Sequence, residues 1–564
     1  MTVTSEKAKN RMYKKNFPAE HCVKAALIVL LFALTACIIT LSCVPPVSRD
    51  ALVYHLALPK LYIEHGGIYE IPSLVFSYFP LNLHLLYTIP LYFGNDIIPK
   101  FIHFAFALAT AWLIFIYLKK RLDDLYALLG VLFFLSIPLI VKLSITAYVD
   151  LGLVFFSTAS VFYLLKWTEN KFRLKYLIIS ALWCGLVLGT KYNGLMVLLL
   201  LFLSVPLVYL RTTPGETRNQ FRAAGYGAVF MLAALLIFSP WMIRDYLWTD
   251  NPIYPLYDHW FNPEESAPAY SILTIMNFEM RSVIQEEPWW QIALLPIRIF
   301  FQGQDGNPRY FDGKLSPFLF FLPCFAFYHY KKNTSGLKTE KFFFIVFSLL
   351  ILFFVLFTTN MCQLRYIAVI IPLLVILAVF GLHEIGGLCK ELKIPESLSA
   401  GIVSVIAFSM ICLNGVYIME QFRYVDPVSY ITGRTGRDEY IEKYRGEYPV
   451  FVFANKNLPE DSKISGIFLG DRRYYSDREM VFDIGWLLKT IKEADTPGKI
   501  ASSLINKKKI THLLVRYDLF DEWVGSNFDD KTRNRLSIFL KTHLKLLFSK
   551  SGYGLFQLEK RGSS

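Results

Sequence analysis

The chain has few cysteines and none arranged to bond in pairs. All eight (Cys22, Cys37, Cys43, Cys184, Cys324, Cys362, Cys389 and Cys412) lie in or beside apolar stretches, and no CxxC pair occurs. That pattern offers no zinc ribbon and no dithiol redox centre, and no disulfide framework is expected. No repeat at a solenoid period and no low-complexity tract is present. A single basic stripe interleaved with aromatics is also missing. The net charge of +13 comes from Lys and Arg in short clusters between apolar runs, so nucleic acid is not an expected partner.

Charge of either sign is scarce as well. Charged residues make up 18% of the 564 positions, against 54% hydrophobic and 16% aromatic, with a mean hydropathy of +0.40. Soluble domains carry about 25% charged residues, so the composition is that of a polytopic membrane protein. At about 20 apolar residues per crossing, helices are expected near 23–44, 97–118, 125–142, 149–166, 176–191, 194–211, 224–241, 315–330, 342–359, 366–383 and 398–419. The first, Val23 to Val44, is too long for a signal-peptide core and lacks a clear small-residue cleavage site, so it is expected to stay as an anchor.

The basic clusters set the orientation. The leader (Lys7, Lys9, Arg11, Lys14, Lys15), Lys119 to Arg121, the 166–175 stretch, Arg211 to Arg222, Lys331 to Lys341, and Lys390 with Lys393 fall on one side, which the positive-inside rule makes cytoplasmic. An odd number of crossings then puts the C-terminal tail outside. The expected fold class is a polytopic α-helical membrane protein of about 11 transmembrane helices with a C-terminal extracytoplasmic α/β domain. Its parts are a basic leader over 1–22, a transmembrane region over 23–419 and a soluble domain over 420–564.

Two outer loops are long. In 45–96, Tyr54 to Ile63 reads as an amphipathic helix, and Leu83 to Phe93 is apolar but too short to span, so both are expected along the interface. The 242–314 loop, with Pro288-Trp289-Trp290 ahead of an apolar stretch, suggests a further interfacial helix and a mobile lid. Beyond Met419, Ile464 to Leu469 and His512 to Arg516 read as buried strands, and 484–507 and 529–543 have helical spacing.

Ionisable residues recur at the outer ends of five helices. Arg49, Asp50 and His55 follow the first, Asp150 opens the fourth, Lys191 closes the fifth, Arg244 and Asp245 follow the seventh, and Arg365 opens the tenth. Each alone fits an interfacial anchor or a snorkelling side chain; the recurrence points to a shared cavity. Two carboxylates among several cations suit a reaction in which Lys or Arg holds a phosphate while an acid handles a proton or a metal. Group transfer from a lipid phosphate is the chemistry this fits, with a polyprenyl-phosphate sugar as the donor, because no nucleotide sugar is available outside the cytoplasm.

The order of parts over residues 20 to 420 resembles the GT-C glycosyltransferases, in the branch of aminoarabinose transferase, protein O-mannosyltransferases and RgtA/B/C/D-like enzymes. Asp50 in the run Asp50-Ala51-Leu52-Val53-Tyr54-His55-Leu56 matches the family's catalytic Asp directly after the first helix. Many members continue with a second acid, whereas Ala51 follows here. Ala147-Tyr148-Val149-Asp150 resembles the second acidic position, Gly189-Thr190-Lys191-Tyr192 the donor-phosphate Lys, and Arg365-Tyr366 an Arg-Tyr at a late helix. Asn251-Pro252-Ile253-Tyr254-Pro255 also has a counterpart in this branch.

The resemblance implies an integral plasma-membrane enzyme, of the bacterial inner-membrane kind, with an Asp50 base in an inverting displacement. Asp150 and His55 would position the acceptor or hold a divalent metal, and Lys191, Arg365, Arg244 and Arg49 would bind donor phosphate. The acceptor could be lipid, glycan or protein. Asp50 also reads as an N-cap for a helix near Leu52, and Asp150 as half of a structural ion pair. Glu64, His65, Glu70, His84, Asp245, His259, Glu286, Glu287 and Asp305 share the outer face and are mostly expected to be solvated. A transporter or flippase of a lipid-linked or envelope precursor is the rival of another class, although transporters usually carry inverted repeats and midplane charges. An envelope scaffold and another lipid-linked transferase also stay open.

Overall fold

A computed structural model describes residues 17–213, 219–263, 280–330, 333–358 and 363–559. Most of the basic leader, part of the proposed lid (264–279) and Cys362 lie outside the described residues. The chain divides into two compact units. One comprises Met1–Cys43, Tyr78–Leu86 and Ile98–Pro427; the other comprises Val44–Ser77, Tyr87–Ile97 and Val428–Ser564.

In the first unit the expected apolar stretches are largely helical, but among the described residues fewer than eleven are full spans. Among the described residues, eight helices are long and apolar enough to cross a membrane: Glu20–Ser42, Ile98–Arg121, Asp150–Glu169, Gly194–Thr212, Gln220–Thr249, Gly336–Phe357, Leu364–Glu391 and Glu396–Val425. The stretch expected at 125–142 is broken, with Asp124–Ser136 and Pro138–Ser144 meeting at 65°. The cause is Pro138, which has no N–H to donate and pushes Ile137 into an extended conformation at ψ 129°. Leu174–Leu188 is shorter than a full crossing, and the stretch at 315–330 contains only the eight-residue helix Phe318–Phe325. A hydropathy window counts apolar residues and is blind to such breaks.

Leu364–Glu391 is the hub, with 89% of its apolar window buried, whereas the first and last spans have 17% and present most of their surface outward. Charges tie the helices together at one end. Arg121 stacks on Tyr117 at 3.9 Å and pairs with Glu340 at 2.6 Å and Glu169 at 2.8 Å. Lys341, read from sequence as a topological charge, is fully buried and bonds Glu384 at 3.3 Å and the Ala326 carbonyl at 2.8 Å.

The second unit contains a five-stranded sheet of β1 Lys463–Ile467, β2 Glu479–Val481, β3 His512–Arg516, β4 Leu544–Lys550 and β5 Tyr553–Leu558, in the order β2-β1-β3-β5-β4. β1 runs parallel to β2 and β3, and β5 is antiparallel to β3 and β4. The two strands expected from sequence form its centre. Alternation along β3 sends Leu513 and Val515 to a core with Leu487, Ile491, Leu536 and Phe539, and Leu514 to a core with Val450, Phe451 and Leu555. The helix expected over 484–507 is cut at Pro497 into Ile484–Glu493 and Pro497–Ser502, each started by a side-chain cap, Asp483 and Thr496. Asp529 caps the helix Asp530–His543 in the same way.

Candidate active site

Asp150 opens its helix and is only 1% exposed. A carboxylate in the first turn is favoured by the helix dipole, but burial at this level also calls for a cation. Lys191, in the turn after Leu174–Leu188, supplies it: its Nζ donates to Asp150 Oδ1 at 3.0 Å. The Lys191 Nζ sits 5.2 Å from the centre of the Tyr366 ring. The Arg365 guanidinium lies over the same ring at 5.5 Å and over Tyr148 at 5.2 Å, within electrostatic reach of Asp150. Asp150, Lys191 and Arg365, read from three separate helix ends, therefore form one cluster. Asp150 Oδ2 is buried with no hydrogen-bond partner among the described residues.

The backbone around the cluster is fixed by groups the sequence reading left out. His103, fully buried on Ile98–Arg121, sits 2.9 Å from the carbonyls of Leu143 and Thr146 through Nδ1. Its Nε2 accepts from the Leu151 N–H at 2.8 Å, which makes the ring a neutral tautomer with the proton on Nδ1. One imidazole thus ties down the turn that leads into Asp150. Gly189 is required for a different reason. A Cβ there would come within 2.0 Å of Asn82 Nδ2, and Asn82 accepts from Trp241 Nε1 at 2.8 Å while its N–H donates to the Gly189 carbonyl at 2.9 Å. His84 is 3% exposed; burial, aided by the charge of Lys191, holds its imidazole well below the usual range and neutral.

Arg244 sits in a separate set of contacts. It pairs with Asp245 at 2.6 Å, donates to the carbonyls of Tyr78 and Phe79, and is flanked by Trp241 and Trp248 at 4.7 and 5.0 Å. Asp245 also accepts from the Tyr192 hydroxyl at 3.1 Å, which donates to the Tyr254 carbonyl at 2.9 Å. The motif 251–255 is a turn built on Asn251, whose side chain accepts from the Ile253 N–H and donates to the Leu256 carbonyl. Arg244 is thus held in a packing clasp, one residue of which, Tyr192, is the neighbour of Lys191.

Asp50, Arg49 and His55 belong to the second unit. Arg49 is exposed, Asp50 half-buried and His55 buried. Asp50 is already helical at φ −68° and ψ −27° and makes no capping hydrogen bond, so the N-cap reading does not hold. Past it the chain makes a π turn over Ala51–His55, in which the Leu56 N–H bonds Ala51 O at 2.9 Å. A regular α turn would have used Leu52 O. The freed Leu52 carbonyl instead accepts from the N–H groups of Arg473 and Tyr474, each at 3.1 Å. Helix Ala57–His65 follows, and its Lys60 bonds the carbonyls of Tyr474 and Ser476 and pairs with Asp477 at 2.7 Å. His55 packs against Tyr54, which stacks on Phe76 at 4.2 Å.

Of the outer-face residues expected to be solvated, Glu64, His65, His259, Glu286 and Asp305 are exposed and Glu70 is half-buried, whereas His84, Asp245 and Glu287 are buried. Glu287 is clamped by Arg281 at 3.0 Å and Arg298 at 3.1 Å. Asp245 meets Tyr192 and Glu287 meets Arg298, partners that periodicity in the sequence does not reveal. Among the described residues no group of three or more His, Cys, Asp or Glu side chains could hold a metal ion. With Asp150 Oδ1 bonded to Lys191, a divalent-ion donor set is not assembled there.

Residues 93–243 match the family described as dolichyl-phosphate-mannose-protein mannosyltransferase. This stretch contains His103, Asp150 and Lys191. The fold has counterparts among solved structures. It is similar to ArnT from Cupriavidus metallidurans, solved bound to undecaprenyl phosphate, over 94% of this chain and 98% of that one, at a TM-score of 0.55 and 12% identity. It is also similar to the archaeal oligosaccharyltransferase AglB from Archaeoglobus fulgidus, solved with an inhibitory peptide and a dolichol-phosphate, over 95% of this chain and 74% of that one, at a TM-score of 0.51 and 10% identity. No curated protein matches the chain in sequence.

Proposed function

We propose that the chain is an integral-membrane glycosyltransferase that moves a hexosyl or pentosyl group from a polyprenyl-phosphate donor to an acceptor hydroxyl on the extracytoplasmic face. The observation that carries this reading is the gathering of Lys191 and Arg365 around the buried carboxylate of Asp150 within a GT-C fold. Two cations of this kind suit the lipid phosphate, whose charge grows as the glycosidic bond breaks. Asp150 holds Lys191 in place through their hydrogen bond.

In the reaction, Asp50 takes the proton of the acceptor hydroxyl. The oxygen attacks the anomeric carbon from the face opposite the phosphate, the C–O bond to phosphate breaks, and polyprenyl phosphate leaves with the electron pair. The configuration at the anomeric carbon is inverted. The basic clusters support a cytoplasmic N-terminus and an outer-facing domain over 420–564, in a plasma membrane such as the bacterial inner membrane.

The test is transfer from a radiolabelled polyprenyl-phosphate sugar in membranes carrying wild type or Asp50→Asn. Loss of label transfer in the variant supports the reading. Equal transfer by both sinks the role of Asp50, and absence of transfer by wild type from every such donor sinks the reaction.

A further inference from the structure

Arg473 stands apart from the other cations of the second unit. Its neighbours are satisfied: Arg472 pairs with Glu447, Arg437 with Asp96, Lys60 with Asp477, and Arg478 bonds the carbonyls of Asn455 and Leu458. Arg473 is 8% exposed, yet its side chain makes no hydrogen bond or ion pair among the described residues, and Nε is buried without a partner. One face of the guanidinium is covered by the Phe482 ring at 5.0 Å. An aromatic face attracts the charge but accepts none of the five N–H donors. Asp471, the carboxylate that acts on it, is exposed and forms no ion pair with it.

Leaving a guanidinium desolvated without an acceptor is among the costlier arrangements in a folded protein. Burial pushes its pKa down to about 10, so it keeps its charge at neutral pH. A structural arginine would be expected to find a carboxylate or a carbonyl, as Arg472 and Arg478 do. The Arg473 backbone, meanwhile, is fixed: its N–H donates to Leu52 O at 3.1 Å, in the turn that begins next to Asp50. The side chain is therefore presented from a rigid segment keyed to the loop of the candidate base.

We propose that Arg473 is the binding residue for a phosphate-type oxyanion. The planar fork of its guanidinium matches two oxygens of such a group. The site itself stands without any assumption about the reaction. Its assignment to an anionic group on the acceptor rests on the glycosyltransferase reading.

The test uses the full-length protein in detergent and follows its Tm in rising inorganic phosphate, and separately in micelles containing phosphatidylglycerol, for wild type, Arg473→Met and Arg473→Lys. Wild type is expected to gain Tm saturably with one or both probes, the responding probe distinguishing a free phosphate from a lipid headgroup. Arg473→Met is expected to start at or above the wild-type Tm, because an unmatched buried charge is gone, and to lose the response; Arg473→Lys should keep a weaker one. A wild type unmoved by both probes overturns the site. So does an equal response in Arg473→Met, or a lower starting Tm for both variants with an unchanged response. None of these readouts depends on transfer activity, so failure here leaves the reaction assignment untouched, and failure of that assignment leaves the anion site standing.

Discussion

Lys191 holds Asp150 through a single oxygen, Nζ to Oδ1 at 3.0 Å, and the other carboxylate oxygen is buried without a partner among the described residues. Removing either member therefore has unequal consequences. Lys191→Met leaves a buried carboxylate with less compensation and is expected to cost roughly 3–5 kcal/mol of stability. Asp150→Asn is expected to cost less, and the double variant Asp150→Asn/Lys191→Met to recover much of the loss of Lys191→Met. Unfolding of the purified proteins checks this; costs that simply add in the double variant would show that the two side chains do not act as a pair.

Asp50→Asn separates chemistry from structure. Its side chain caps no helix, so the loss of about 1 kcal/mol typical of a removed N-cap is not expected, while transfer should fall by about 10²–10⁴ as for other general bases. Parallel measurements of Tm and label transfer decide it. A drop in Tm matching the drop in activity would make Asp50 a structural residue.

His103 is expected to act through Asp150. His103→Ala removes the contacts to Leu143 O, Thr146 O and the Leu151 N–H, and a shift of about 1 Å at a reacting group costs up to about 10²-fold in rate. The expected signature is a fall in kcat with little change in KM for the lipid donor, partly restored by His103→Gln. A rise in KM alone would instead place His103 in donor binding.

Glu287 gives a pH dependence. Although burial opposes it, hydrogen bonds from Arg298 and Arg281 hold its carboxyl below the ordinary carboxylate range. A carboxylate with a depressed folded-state pKa contributes stability above its unfolded pKa and loses it as pH falls through the folded value. Stability of the 281–298 segment should thus drop on acidification below about pH 4, and Glu287→Gln should flatten that limb. Limited proteolysis of both proteins across the acid range reads it; superimposable acid limbs would refute the clasp.

Hydropathy carried most of the helical fold, since each of the apolar stretches contains a helix, although the one at 315–330 holds only Phe318–Phe325. It could not locate the break at Pro138 or the shortness of 174–188, because a sliding average spreads apolar character across such interruptions. For the site, Asp150, Lys191 and Arg365 were legible as rare charges at helix ends. His103 was not: one polar residue inside an apolar run looks like any other buried histidine until its two carbonyl partners and its amide partner are known. Arg473 was illegible for the opposite reason, lying in a segment full of charges where nothing in the sequence distinguishes the one that is buried.

The Leu52 carbonyl has a consequence for biosynthesis. Its two donors, Arg473 and Tyr474, leave the ribosome only after the last apolar helix has been made. Until then the turn beside Asp50 lacks the hydrogen bonds that key it in the finished protein. A chain truncated before the sheet would thus lack both donors that hold the turn beside Asp50.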